Sequence, residues 1–237
     1  LRFTNEIPPV PGIGGGSALQ FLDRQTGWIT AMPTVTKATT QKPLLYLTRD
    51  GGYTWTPQPL LLPPGIKPTC ELWLEQPRFF SAQEGVIPAS INHSQDGTPN
   101  GFLSFVTHDG GLSWQSRPFV AVDYNVLYTR TVKPGAIHQM AYRNTPAPRF
   151  TDMGFGWVGR PDLALFTTTD GGMSWQTLVS PSPFKDGSQL LFLSSKLGWI
   201  ITKSEDEMTS SLYKTSDGAQ HGHFFPRRFS EMTGWLC

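Results

Sequence analysis

One carboxylate recurs in one local setting along the chain. Thr48 to Trp55 reads T-R-D-G-G-Y-T-W, Thr107 to Trp114 reads T-H-D-G-G-L-S-W, Thr168 to Trp175 reads T-T-D-G-G-M-S-W, and Thr215 to Gly218 opens a fourth copy as T-S-D-G before it lapses into Ala219-Gln220-His221-Gly222. Aspartate beside hydroxyls invites acid–base catalysis or the binding of a hard cation. A catalytic group is needed once, whereas Asp50, Asp109, Asp170 and Asp217 each sit in their own copy of a turn. The pattern therefore predicts a structural role: the carboxylate accepts hydrogen bonds from turn amides, Gly52, Gly111 and Gly172 supply positive φ, and Trp55, Trp114 and Trp175 pack under the turn and close it.

The remaining groups with chemical potential are sparse. Glu205-Asp206-Glu207 is a three-residue acidic tip between apolar stretches, the composition of a solvated hairpin end. His221 and His223 could point to the same side of an extended strand, but no third metal ligand is evident. His93, His108 and His138 are isolated. Cys70 and Cys237 could pair in an oxidising compartment or remain as buried thiols. No catalytic residue, metal site or cofactor is predicted.

The elements that hold these turns follow from composition and spacing. Hydrophobic residues make up 38% and charged residues 16% of the 237, while Gly 24 and Pro 21 are too many for long helices and suit short strands joined by tight turns. The formal net charge of +1 and the lack of basic runs beyond Arg227-Arg228 give no nucleic-acid footprint, and no apolar stretch approaches a membrane-spanning length. The chain begins at Leu1, which fits a processed product.

A second motif precedes each Asp turn: F-L-D-R-Q-T-G-W at Phe21 to Trp28, F-S-A-Q-E-G-V at Phe80 to Val86, F-T-D-M-G-F-G-W at Phe150 to Trp157, and F-L-S-S-K-L-G-W at Phe192 to Trp199. A fifth, F-S-E-M-T-G-W, runs from Phe229 to Trp235 with no Asp turn after it. Gly27, Gly156 and Gly198 mark a tight approach, and the following Trp covers the space between neighbours. The Asp turns fall 59, 61 and 47 residues apart, which fits one four-stranded antiparallel unit per repeat with loop insertions in the longer ones. The predicted domain is 1–237, with repeats over 17–62, 77–122, 148–184 and 188–228 and a partial one from 229–237 with 1–10. Insertions fall at Pro88 to Gly101 and over 123–147, the latter long enough for an additional hairpin.

The aspartate motif resembles the Asp-box (BNR-like) repeat, S/T-x-D-x-G-x-T/S-W, found in sialidases, sortilin-type receptors and photosystem II assembly factors. Its coupling to a Phe-and-Gly-Trp strand is most similar to the photosystem II assembly and stability factor group and its bacterial relatives. The resemblance spans Phe21 to Trp235 and implies an all-β fold, a β-propeller of about five visible four-stranded blades with the last incomplete, whose channel and one loop face are available for binding. A sialidase-like hydrolase would need an arginine cluster, a tyrosine–glutamate pair and an acid–base aspartate. The Arg-Ile-Pro motif such enzymes carry is missing, and Leu1-Arg2-Phe3 lacks the Ile-Pro.

The function expected is therefore a non-catalytic binding or assembly scaffold with a protein partner, in an extracytoplasmic setting, whether secreted, periplasmic or membrane-tethered. The interface residues expected are Tyr124, Tyr128, Arg130, Tyr142 and Arg143, since Tyr and Arg most often anchor interfaces and all five fall in one insertion. The alternative is a carbohydrate-active protein, either a glycosidase or a glycan-binding module.

Overall fold

A computed structural model of the chain describes residues 18–31, 44–92, 97–122, 145–160, 164–179, 189–203, 210–218 and 225–227. Every regular element among them is a strand. The first repeat folds as β1 (Ala18–Phe21), β2 (Gly27–Thr30), β3 (Leu45–Thr48) and β4 (Thr56–Gln58), an antiparallel meander in chain order. In the second, long central strands β7 (Gly85–Ile91) and β8 (Gly101–Thr107) are flanked by edges that are each divided in two. Leading into β7 are β5 (Leu72–Leu74) and β6 (Arg78–Phe79), and beside β8 lie β9 (Gln115–Ser116) and β10 (Val120–Ala121). The third repeat is β11 (Arg149–Phe150), β12 (Gly156–Arg160), β13 (Ala164–Thr168) and β14 (Gln176–Val179). The fourth is β15 (Gln189–Phe192), β16 (Gly198–Lys203), β17 (Ser210–Thr215) and β18 (Phe225–Arg227), and both are again meanders in chain order.

One packing rule recurs in all four sheets. The pairs Phe21–Gly27, Phe79–Gly85, Phe150–Gly156 and Phe192–Gly198 lie directly opposite each other in the register. Each phenyl ring lies so close over its glycine that an added Cβ would come within 2.8, 2.8, 2.7 and 2.6 Å of it, respectively. Only glycine leaves room for the ring. In the second repeat this makes Phe79, not the expected Phe80, the counterpart of Phe21; Phe80 instead carries the Arg78 guanidinium over its face at 5.5 Å.

The second sheet also departs from the expected boundaries. It begins at Leu72, ahead of 77, and the insertion expected over Pro88 to Gly101 contracts to residues 92–100, because β7 runs through Pro88 and β8 starts at Gly101. Pro88 is tolerated inside a buried strand because its neighbour is interrupted there. Leu74 faces Ala89 but Arg78 faces Val86, so three edge residues stand opposite two, a β-bulge into which the Pro88 carbonyl accepts the Glu75 N–H at 2.9 Å. The other edge has the same count, with Ser116 facing Phe105 and Val120 facing Phe102, and the Arg117 N–H bonds to the Ser104 carbonyl at 2.8 Å.

The described residues divide into two compact units, one holding the first two sheets with 145–148 and the other the last two sheets. In the first unit, Trp28, Leu45 and Leu47 of one sheet pack on Ile87, Ala89, Ile91, Leu103 and Phe105 of the next. Trp28 meets Phe79 at 4.7 Å and Trp114 at 6.5 Å between ring centroids, and Phe79 meets Trp114 edge-on at 6.0 Å. Gly111 must be glycine here, since its φ is 78° and a Cβ would run into the Trp28 indole. The second unit builds the same triad without a tryptophan from its fourth Asp turn: Trp157 packs on Phe192 at 5.5 Å, and Phe155 closes the triangle at 6.2 Å to Trp157 and 5.4 Å to Phe192.

Gln58 latches the two sheets of the first unit. Its Oε1 accepts the indole N–H of Trp28 at 3.1 Å and of Trp114 at 3.4 Å, while Nε2 donates to the Gly111 carbonyl at 2.9 Å and the Leu112 carbonyl at 3.3 Å. Both indoles are buried, so losing their acceptor leaves donors that water cannot satisfy. Gln58→Leu is expected to lower unfolding stability by about 1–3 kcal/mol in urea titrations, with Gln58→Glu intermediate because it keeps the acceptor alone. Equal midpoints for wild type and Gln58→Leu would show the latch to be inert.

Candidate functional site

The three complete Asp turns are superimposable hydrogen-bond sets. Asp50 Oδ1 accepts the Thr48 hydroxyl at 2.8 Å and the Thr54 N–H at 2.9 Å, while Oδ2 accepts the Thr54 hydroxyl at 2.6 Å. Asp109 takes the Thr107 hydroxyl at 2.7 Å, the Ser113 N–H at 3.0 Å and the Ser113 hydroxyl at 2.6 Å. Asp170 takes the Thr168 hydroxyl at 2.7 Å, the Ser174 N–H at 2.9 Å and the Ser174 hydroxyl at 2.6 Å. In each turn the threonine hydroxyl also accepts the N–H of the second glycine, Gly52, Gly111 or Gly172, at 2.8–2.9 Å. Asp217 keeps the first half of the set, with the Thr215 hydroxyl at 2.7 Å and its own N–H on Thr215 Oγ1 at 3.4 Å.

These contacts favour the ionised form of the carboxylates. Hydrogen bonds from the Thr54 hydroxyl and N–H, then from Thr48, hold the Asp50 pKa down at about 2 against an ordinary 3.8. For Asp109 and Asp170 partial burial pulls upward, but the hydroxyl and N–H of Ser113 or Ser174, followed by Thr107 or Thr168, outweigh it and bring both to about 2. A carboxylate so strongly acidic and so fully engaged is a poor proton donor or acceptor at neutral pH.

The first glycine of every turn reaches outside it. Gly51 N–H donates to the Gln25 carbonyl, Gly110 to Gln83, Gly171 to Gly154 and Gly218 to Lys196, all at 2.8–2.9 Å, so the Asp turn is tied to the hairpin of the Phe–Gly motif in all four repeats. That hairpin has its own repeated device. Asp23 Oδ1 accepts two turn amides, Gln25 and Thr26, at 2.7 Å each; Asp152 Oδ1 accepts Gly154 at 2.8 Å and Phe155 at 2.7 Å; Ser81 and Ser194 do the same through Oγ at 3.0–3.3 Å. The amides of Thr26 and Gln25 depress the Asp23 carboxyl, and at Asp152 partial burial opposes but does not overcome the amides of Phe155 and Gly154. At the second repeat His108 Nδ1 adds a contact of 2.7 Å to Glu84, across the same two turns.

The turn tryptophans buttress the Phe–Gly contact: Trp55 meets Phe21 edge-on at 6.1 Å, Trp175 meets Phe150 at 6.1 Å, and Trp114 meets Phe79 as above. Where the fourth turn stops matching, Phe155, Thr168, Ser174, Gln176, Ser195 and Gly218 line a small notch of about 30 Å³. Among the described residues no group of three His, Cys, Asp or Glu is placed to hold a metal ion, and no helix is long and apolar enough to cross a membrane.

Tyr124, Tyr128, Arg130, Tyr142 and Arg143 lie outside the described residues, as do Glu205-Asp206-Glu207, His93, His138, His221, His223, Cys237 and the segments 1–10 and 229–237; Cys70 is buried. The two ends of the 123–144 segment are visible. Val122 N–H donates to the Asn100 carbonyl at 2.9 Å. Thr145 N–H donates to Asn92 Oδ1 at 2.6 Å, and Asn92 Nδ2 returns a bond to the Thr145 carbonyl at 3.1 Å. The buried Asn92 amide thus stands in for a strand partner, and both ends of the long insertion are fastened to the β7–β8 connection. Neither Asn92 nor Gln58 announces this in sequence.

Four-stranded antiparallel meanders, with the Gly-Trp strand of one sheet buried against the next sheet within each unit, define an all-β chain of the β-propeller class. No protein-family model matches it. Over 166 aligned residues the chain is 27% identical to a vacuolar protein sorting/targeting protein 10 of Emericella nidulans, an alignment covering 59% of this chain and 11% of that protein, so the chain spans about a tenth of that relative. Among solved structures it is similar to "YCF48 bound to D1 peptide", with 18% identity, a TM-score of 0.39, and coverage of 93% of this chain and 60% of that one. It is also similar to YCF48 from Cyanidioschyzon merolae, with 13% identity, a TM-score of 0.28, and coverage of 92% and 86%.

The Asp turns carry a pH signature with a defined sign. Their folded pKa of about 2 lies below the ordinary 3.8, so their stabilisation is complete above that ordinary value and is lost as pH falls through the folded one. The thermal midpoint of the wild type is expected to drop more steeply between about pH 4 and pH 2 than that of an Asp109→Asn/Asp170→Asn variant, which keeps only Asp50 of the three such carboxylates. Parallel curves for the two proteins would contradict the assignment.

Proposed function

We propose that the chain is a non-catalytic β-propeller module of the Asp-box type, a single domain that holds a protein partner in an extracytoplasmic setting, and that the partner is bound through residues 92–100 and 123–144. The supporting observation is the double fastening of the insertion, through Val122 to Asn100 and through Thr145 to Asn92. Anchoring both ends of a long segment on a rigid sheet limits the ordering entropy that binding must supply. The segment offers Tyr124, Tyr128, Arg130, Tyr142 and Arg143, the residue types that dominate interface energetics. The engagement of Asp50, Asp109 and Asp170 in their own turns favours binding over hydrolysis, and a sorting/targeting role in the name of the Emericella nidulans relative agrees with a binding protein.

Affinity isolation from the native source tests this. The wild-type chain is expected to bring down a stable partner, and Tyr128→Ala/Arg130→Ala to lower its recovery by about ten-fold or more at an unchanged thermal midpoint. Asn92→Ala is expected to lower recovery too, with a stability cost of about 1–3 kcal/mol from the lost clamp. Recovery of the chain alone, or turnover of fluorogenic glycosides by the purified protein, would overturn the proposal.

A further inference from the structure

Asn92 opens the single Asn-x-Ser/Thr triplet of the chain, Asn92-His93-Ser94. Such a triplet is the acceptor for Asn-linked oligosaccharide, and its usual setting is a surface loop, because the sugar is bulky and must stand in water. The structure gives this acceptor the opposite setting. Asn92 follows directly on β7 and is only 6% exposed, and Thr145, which it clamps, is 1% exposed.

The whole Asn92 amide is engaged inside the fold. Oδ1 accepts the Thr145 N–H at 2.6 Å, while Nδ2 donates to Ser90 Oγ at 3.2 Å and to the Thr145 carbonyl at 3.1 Å. Nδ2 carries two hydrogens, so both are committed. Transfer from a lipid diphosphate-linked oligosaccharide forms a bond between Nδ2 and the sugar C1 and breaks the C1–O bond to diphosphate. One Nδ2 proton is released, and the lipid diphosphate leaves with the electron pair. The modified nitrogen keeps one hydrogen, so one of its two donations is lost. A sugar ring also has no room at a buried side chain. The modified amide must therefore turn out into water, which leaves the buried Thr145 backbone N–H and carbonyl without the partners they have in the fold.

We propose that Asn92 is a modification site whose occupancy excludes the clamp: an oligosaccharide on Nδ2 and the Asn92–Thr145 pairing cannot coexist. The order of events then decides the outcome. Folding first hides Nδ2 from any transferase, whereas transfer to the emerging chain prevents the clamp from closing. The native chain therefore matures by a route on which Asn92 escapes oligosaccharide transfer. This holds whatever the partner of the neighbouring insertion is, because it rests only on the amide and its three bonds.

Secretion of the full chain from a yeast that carries out Asn-linked transfer, beside the same chain made in a bacterial cytosol, provides the test. Three proteins are compared: the wild type, Ser94→Ala, which removes the triplet and keeps Asn92, and Ser94→Ala/Leu193→Asn. The last places a new triplet, completed by Ser195, at a side chain that is 60% exposed. The wild type is expected to yield a fraction whose mass falls by one glycan on endoglycosidase treatment and which melts at a lower temperature or without a cooperative transition. Ser94→Ala is expected to appear unmodified and to melt with the cytosolic wild type. The Leu193→Asn protein is expected to be glycosylated and folded, which separates the effect of a sugar at Asn92 from that of a sugar on the surface. A glycosylated wild-type fraction that melts at the unmodified midpoint would overturn the proposal. So would a wild type that stays wholly unmodified while the Leu193→Asn protein is glycosylated.

Discussion

A phenyl ring laid across a glycine is the contact on which the rest of this architecture depends. Phe21, Phe79, Phe150 and Phe192 each occupy the space that a side chain at Gly27, Gly85, Gly156 or Gly198 would fill. The contact does three things at once. It pins the register of the opening hairpin, because a slip of one residue would move the ring to the other face. It offers an edge to the tryptophan of the following Asp turn, an arrangement worth about 0.5–1.5 kcal/mol beyond burial. Twice within the described units it also presents the same ring to the Gly-Trp strand of the preceding sheet.

The carboxylates serve that frame. Each of the three complete Asp turns is locked by three bonds to its own aspartate and fastened to the neighbouring hairpin through one glycine amide, so two turns that are separated in sequence become one corner. Ionised oxygens are the acceptors such a corner needs, because they satisfy a hydroxyl and an amide together in a partly exposed site. The same bonds that make the aspartates strong acids suit them poorly to proton transfer at neutral pH. At the edge of that frame Asn92 joins Thr145 to the β7–β8 connection.

Local repeats were legible in the sequence because their causes are local. Asp50 to Trp55 encodes its own turn, and the Phe and Gly positions carry a steric requirement that no distant residue can relax. The features that escaped are non-local or degenerate. Gln58 joins indoles far apart in sequence, and nothing beside it in the chain signals them. Asn92 and Thr145 pair across a separation of 53 residues. Pro88 suggested a loop, but paired bulges on both edges of the sheet let β7 run through it. The turn acceptors Asp23, Ser81, Asp152 and Ser194 are two residue types filling one role, which hides the repeat. Phe155 takes the place of a tryptophan that the fourth turn lacks, a compensation visible only in the triad it completes.

The central claim is that one steric pair organises every sheet, and the most direct measurement is the unfolding stability of Gly27→Ala, Gly85→Ala, Gly156→Ala and Gly198→Ala, each alone and together with Phe→Leu at its partner. Each single methyl is expected to cost about 1–3 kcal/mol by overpacking, and the leucine partner to recover part of that loss, so that the double variant is more stable than the sum of the two changes. Losses below about 0.5 kcal/mol, the level of ordinary surface substitutions, or strictly additive doubles would contradict the account.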